Sequence, residues 1–211
     1  YTFEFVQKAL TAFDAKFFVK DFIRALIFDA IIGNSDRHQS NWGLIQSIEL
    51  VEVRPIKKGR KLPFGKAKDD GLQVTININR KAAPIYDSGC CLGREFGEVQ
   101  IQQHLDIQSK FDKYIRNGVS ELRTGETNKK PSHEELLHFI KNTNNGEWKS
   151  FIDDEINRVL LAYNPNETNE LISNIDNQLP DAYREQYGLT MARKEFIFRV
   201  IDTRINNLKN I

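Results

Sequence analysis

The stretch from Phe17 to Ile32 constrains this chain more than any other. Phe18, Phe22, Ile23, Leu26, Ile27 and Ala30 recur along it at helical spacing. Apolar residues occupy most sides of the helix this spacing predicts, over residues 15 to 32, so it belongs at the centre of a core. Lys20, Asp21, Arg24 and Asp29 interrupt the run too often for a membrane span. Gly33 and Asn34 both tolerate left-handed backbone and make a natural stop. The composition then changes abruptly. Gly33-Asn34-Ser35-Asp36-Arg37-His38-Gln39-Ser40-Asn41 packs two potential metal ligands, a base and a cation into nine positions. A polar loop hung on the end of a rigid core helix suits a site that needs fixed geometry.

Around that centre the chain reads as follows. Residues 3 to 12 predict a helix. Asn41 to Ile48 is strand-like, and Leu72 to Asn79 alternates apolar and polar residues with period two, the pattern of a half-buried strand. The two pair as a hairpin. Its tip is the segment 54–68, which holds Arg54, Lys57, Lys58, Arg60, Lys61, Lys66 and Lys68 and no acidic residue. Ala83-Pro84 ends the second strand and delivers Asp87, in Pro84-Ile85-Tyr86-Asp87-Ser88-Gly89, to the same edge as Asn41. From about residue 95 the chain is helical. Val99, Gln103, Ile107, Phe111, Tyr114 and Ile115 predict one helix ending at Asn117-Gly118, and residues 118 to 131 a polar loop. Ser132-His133-Glu134-Glu135 is a capping box opening a helix through Ile140. Glu147 to Tyr163 is amphipathic and broken by Asn164-Pro165; Glu167 to Gln178 is a short helix. Thr190 caps a last long helix with Phe196, Ile197, Val200, Ile201 and Ile205 on its apolar face. The fold class is α+β and mostly helical, with residues 1–94 carrying helix, loops and hairpin and residues 95–211 a helical bundle.

At 211 residues, 40% hydrophobic and 28% charged, the chain suits a soluble globular protein with a real core. Thirty basic and 29 acidic residues give a net charge of +1, so no bulk field draws it to nucleic acid or to an anionic membrane. The adjacent Cys90 and Cys91 are expected as free thiols in a reducing compartment, since a bridge between neighbours is strained. The first residue is Tyr1 rather than Met, and the expectation is that other residues precede it.

Phosphoryl transfer from a nucleotide asks for Mg²⁺ on the phosphates and a carboxylate near the incoming hydroxyl. Mg²⁺ takes oxygen ligands from one or two side chains and keeps phosphates and water for the rest. An Asp, an Asn five residues later and a distant Asp after a hairpin supply such a set. The blocks Gly33-Asn34-Ser35-Asp36-Arg37-His38-Gln39-Ser40-Asn41-Trp42-Gly43 and Ala83-Pro84-Ile85-Tyr86-Asp87-Ser88-Gly89 resemble the catalytic and metal-binding loops of HipA-type serine/threonine kinases, and in particular their CtkA-like branch. That group is structurally related to the phosphoinositide kinases. The resemblance implies a protein-kinase-like C-terminal lobe, with a small hairpin carrying the metal site, that uses ATP and Mg²⁺ to phosphorylate serine or threonine of a protein substrate. It implies Asp36 as the catalytic Asp, His38 beside it as a positioning group, and Asn41 and Asp87 as ligands of the metal and, through it, of the nucleotide. Arg37 pairs with a nearby acid in this reading.

Departures from that pattern define the alternatives. Only 35 residues precede Asp36, and they read as helix, so the N-terminal lobe that covers the nucleotide and supplies a phosphate-contacting lysine is expected elsewhere, on the same or a separate chain. Gly59 to Lys66 has one residue too many for a Walker loop, and Ala67 stands where Ser or Thr is required. A pseudokinase or regulatory binding module with the same fold, and a lipid kinase, are the competing functions. For Asp36, His38, Asn41 and Asp87 the plain structural alternative is a set of capped turns. The basic tip reads as a solvated hairpin end; Lys57 to Lys61 weakly matches a localisation patch. His104, His133 and His138 lack metal-ligand spacing, and Trp42 and Trp148 read as core. A bacterial cytoplasmic location is expected; secretion into a host cell and an antitoxin-like partner are possibilities the resemblance alone opens.

Overall fold

A computed structural model describes residues 1–55, 72–125 and 129–211. The chain divides into two compact units. One is made of residues 1–42 and 85–211, the other of residues 43–84.

The first unit is helical. Helix α1 runs Phe3–Ala12, capped by Thr2, whose hydroxyl accepts from Phe5 N–H at 3.1 Å. Helix α2 runs Val19–Ile32 and ends at Gly33, whose φ of 70° is the left-handed stop expected of a glycine there. It does not begin at residue 15. A 3₁₀ turn over Lys16–Phe18 precedes it, because Asp14 turns the chain through left-handed backbone (φ 52°) and Ala15 N–H closes onto Leu10 C=O. Phe18, Phe22, Ile23, Leu26, Ile27 and Ala30 are all buried, so α2 is the core helix that the periodicity predicts. It packs against α5 (His133–Asn142), α6 (Lys149–Ala162) and α9 (Met191–Asn207). Arg24 reaches across to Glu155 at 2.8 Å, and Phe3 meets Trp148 edge-on at 6.4 Å.

Residues 98–116 form two helices, not one: α3 Glu98–Asp106 and α4 Gln108–Arg116. Ile107 between them is extended (φ −116°, ψ 96°). Ile101 and the pair Phe111 and Ile115 all bury against Phe196 and Val200 of α9. At 3.6 residues per turn a continuous helix would set Phe111 roughly 80° around the axis from Ile101; the break lets both face one partner. Helix α5 opens on the expected capping box, Ser132 Oγ accepting from Glu135 N–H (3.1 Å) and Glu135 from Ser132 N–H (2.7 Å). Asn164 ends α6 and caps α7 (Pro165–Ser173), which starts and stops earlier than its periodicity suggests. A seven-residue helix, α8 (Asp181–Tyr187), follows Pro180 and is too short to show a period. Thr190 caps α9 through Arg193 N–H.

The second unit is the hairpin, β1 (Leu44–Pro55) against β2 (Leu72–Ala82), antiparallel with a bulge between Leu50 and Glu52. Ile48 faces Ile78, Leu50 faces Ile76, and Val53 faces Val74 across the ladder. The period-two reading of a strand is right, but the expectation of half-burial is not: all six of these side chains are exposed. A two-stranded ribbon is a single layer and cannot cover its own face. Residues 56–68 of the basic segment, with the Walker-like run from Gly59 and the Lys57–Lys61 patch, lie outside the described residues. Asn41 and Asp87 flank the hairpin in sequence and belong to the helical unit, so the hairpin does not itself carry the expected metal site.

Candidate active site

The site is assembled from the end of α2 outward. Asp29, one turn before the helix ends, is 1% exposed. A carboxylate taken out of water needs a cation and hydrogen bonds. Arg37, also 1% exposed, supplies both: Nε to Asp29 Oδ2 at 2.8 Å and Nη2 to Asp29 Oδ1 at 2.7 Å, a two-point fork. Asn34 adds a third bond, Nδ2 to Asp29 Oδ1 at 3.0 Å. The hydrogen bonds it donates to Asp29 hold the Arg37 guanidinium above its ordinary pKa, against the opposing effect of burial.

The far side of the same guanidinium ties two loops together. Nη1 donates to Asn41 C=O at 2.7 Å and to Tyr86 C=O at 2.8 Å, and Nη2 to Ser88 Oγ at 3.2 Å. Residues 34–41 and 86–90 are therefore one surface, though 46 positions separate Asn41 from Asp87. Further bonds run the same way. Tyr86 OH donates to Ser40 C=O (2.8 Å), Ser35 N–H to Cys90 C=O (3.4 Å), and Leu92 N–H to Ile32 C=O (3.2 Å). Trp42 packs on Phe22 with ring centroids 4.9 Å apart and donates to Tyr1 OH at 2.6 Å. Trp42 is only partly buried, short of the core position expected of it, whereas Trp148 is buried.

On this surface Asp36 is half-buried. Its backbone is pinned by Asn41 Nδ2, which donates to Asp36 C=O at 2.7 Å, and by Asn34 Oδ1, which accepts from Asp36 N–H at 3.3 Å. Its carboxylate lies 3.9 Å from the Cys90 thiol and 3.9 Å from His38 Nε2. Ser40 N–H donates to His38 Nδ1 at 3.2 Å, which fixes the tautomer: a neutral ring presents Nε2–H toward Asp36. Asn41 is buried, and because its amide nitrogen is taken, its Oδ1 is the end left for a ligand. Asp87 is exposed, with left-handed backbone at φ 53°. No hydrogen bond or ion pair among the described residues engages its carboxylate, which acts on Arg37 only through space. Such strain in a non-glycine residue collects at functional turns.

The donor set suits a hard cation shared with phosphates. No cluster of three or more His, Cys, Asp or Glu able to hold a metal exists among the described residues. An amide oxygen and one free carboxylate make a poor site for a bare ion and a suitable half-site for Mg²⁺ that brings its own phosphate and water ligands. The two cysteines are free, and burial pushes the Cys91 thiol above its ordinary pKa. His104 stacks on Phe96 at 4.5 Å, and His133 is buried in the helical unit.

Sequence reasoning named Asp36, His38, Asn41 and Asp87 as candidates but not the buried pair, Asp29 and Arg37, that joins their loops. Asp29 reads in the sequence only as a charge interrupting an apolar run. An acid on the buried side of a core helix, eight residues before an arginine, is the signal that could have named it.

No family model matches this chain. It is weakly homologous to the serine/threonine-protein kinase CtkA of Helicobacter pylori strain J99, with 22% identity over 212 aligned residues that span 98% of this chain and 51% of that protein. The crystal structure of a Helicobacter pylori proinflammatory kinase CtkA superposes with a TM-score of 0.54 at 21% identity, over 93% of this chain and 54% of that one. The mostly helical fold with a small antiparallel hairpin thus matches about half of that structure. This chain spans about half the length of the relative it matches. No helix among the described residues is long and apolar enough to cross a membrane.

Proposed function

We propose that this chain is the catalytic C-terminal lobe of a HipA/CtkA-like kinase that transfers the γ-phosphate of ATP to serine or threonine of a protein. One observation carries the reading: a single buried arginine fastens the Asp36–Asn41 loop and the Asp87 loop into one surface. The homology to a serine/threonine kinase supports it. Asp36 orients the substrate hydroxyl and takes up its proton as the new O–P bond forms and the bond from the γ-phosphorus to the bridging oxygen breaks, releasing ADP. His38 Nε2–H, 3.9 Å from the Asp36 carboxylate, stands beside it as a positioning group. Asn41 Oδ1 and the Asp87 carboxylate would hold Mg²⁺, which, bound with ATP, would neutralise charge on the transferring phosphoryl group. The adenine and the outer phosphates need further walls. In this reading a lobe outside these 211 residues, on the same or another polypeptide, supplies them. The chain alone then binds nucleotide weakly and turns over little.

The test is a Mg-ATP titration followed by a phosphotransfer assay on the chain joined to a CtkA-type N-terminal lobe. Asp36→Asn is expected to lower kcat by about 100-fold or more with ATP binding kept. Asp87→Asn is expected to weaken the Mg-dependent part of ATP binding. Full activity in either variant refutes the assignment. Absence of any Mg-dependent binding favours a regulatory module with the same fold.

A further inference from the structure

Behind the candidate active site, at the junction of α2, α4, α5 and α9, a cavity of about 730 Å³ is walled by charged groups. Its central feature is Arg204 of α9, 7% exposed. No carboxylate among the described residues pairs with it. Its Nε has no hydrogen-bond partner, and Nη1 reaches Ala30 C=O only at 3.5 Å, the outer limit of a bond. The Tyr114 ring, 5.8 Å away, is a weak substitute for an anion. Burial lowers the Arg204 pKa, yet a guanidinium stays charged at neutral pH. An arginine this buried, with no carboxylate among the described residues in direct contact, is costly unless something negative meets it.

Space has been kept clear for it. A Cβ on Gly118 would stand 2.5 Å from Arg204 Nη2, and one on Gly33 would stand 2.9 Å from Arg204 Cζ. The guanidinium lies between these glycines and also lines a second cavity of about 580 Å³, beside Ser35 and Cys90. Across the first cavity sits the N-terminus of α5, a ten-residue helix. His133, its first residue, is 4% exposed, and its Nε2 likewise has no partner among the described residues. Arg116 and Lys129 also line the wall. Two acids line it as well: Glu135 is engaged in the capping box, and Glu134, bonded to Asn207 Nδ2 at 3.2 Å, acts on Arg204 through space without forming an ion pair with it. A helix N-terminus, a buried cation and an imidazole nitrogen without a partner among the described residues line one space, the elements from which an oxyanion receptor is built.

We propose that this cavity binds an oxyanion of the phosphate-monoester class, with the Arg204 guanidinium as its charge partner and His133 Nε2–H as a second donor. The site is separate from the nucleotide surface and does not depend on the kinase reading. Arg204 touches both this cavity and the one beside Ser35, so occupancy here bears directly on the end of α2 that carries the Asp36 loop.

Calorimetry and ³¹P NMR on the 211-residue chain, without magnesium and at fixed ionic strength in chloride, test this with inorganic phosphate and with a phosphoserine peptide. Saturable binding is expected, at least tenfold weaker in Arg204→Gln and several-fold weaker in His133→Phe. Near-UV circular dichroism checks that each variant keeps its fold. If Arg204→Gln does not, His133→Phe and the wild-type titration decide. Tighter binding of the peptide identifies an attached phosphate as the ligand, and equal binding a free one. No saturable binding of either, or binding unchanged in the folded variants, overturns the proposal.

Discussion

Replacing Arg37 by Met keeps much of its length and removes everything its guanidinium does. Two consequences follow from the geometry. Asp29, 1% exposed, loses its cation and two of its three side-chain hydrogen bonds, keeping only that from Asn34. The carbonyls of Asn41 and Tyr86 lose the donor that joins them. Removing one partner of a buried pair costs about 3–5 kcal/mol, because the charge left behind stays out of water. For a chain of this size each kcal/mol moves Tm by roughly 2–4 °C, so the expected loss is about 6–20 °C. Urea unfolding measures it. The double variant Arg37→Met, Asp29→Leu should recover a large part of the loss, since no orphan charge remains, while the parting of the two loops persists. Mg-ATP binding should therefore stay impaired in the double variant although stability returns. A single variant costing under about 1 kcal/mol would refute the reasoning, as would a double variant whose loss equals the sum of the separate ones.

Other expectations can be checked alongside. Burial pushes the His133 pKa down from 6.5 to about 3, with the nearby Arg204 charge adding to the effect. The unfolded chain therefore takes up a proton below pH 6.5 that the folded chain refuses, and stability present above that pH is lost as pH falls toward 3. By pH 5 this amounts to about 2 kcal/mol, and His133→Phe should show that much less decline between pH 7 and 5 in thermal unfolding. Gly33→Ala forces a side chain into left-handed backbone at φ 70°, 2.9 Å from Arg204, and should cost about 1–3 kcal/mol by urea titration. Ser132→Ala removes the cap on Glu135 N–H and should cost about 1 kcal/mol, leaving Mg-ATP binding unchanged.

What the sequence carries by itself is whatever depends on neighbours along the chain. The apolar wrap of residues 18–30, the Gly33 stop, the Ser132 box, the Thr190 cap and the alternation of β2 are local signals, and the structure builds an element at each. The four candidate residues were legible for the same reason, because each sits in a short block of fixed order. Tertiary structure decided the matters that local order leaves open. Whether Val99 to Ile115 is one helix or two depends on reaching Phe196 and Val200, which lie far along the chain. The exposure of Ile48, Ile76 and Ile78 depends on what does or does not cover a ribbon, a fact absent from its alternation. Above all, the meeting of the two loops rests on Asp29 and Arg37, whose charges look like solvated ones until folding buries both, and a pair of charges removed from water holds only where each finds the other.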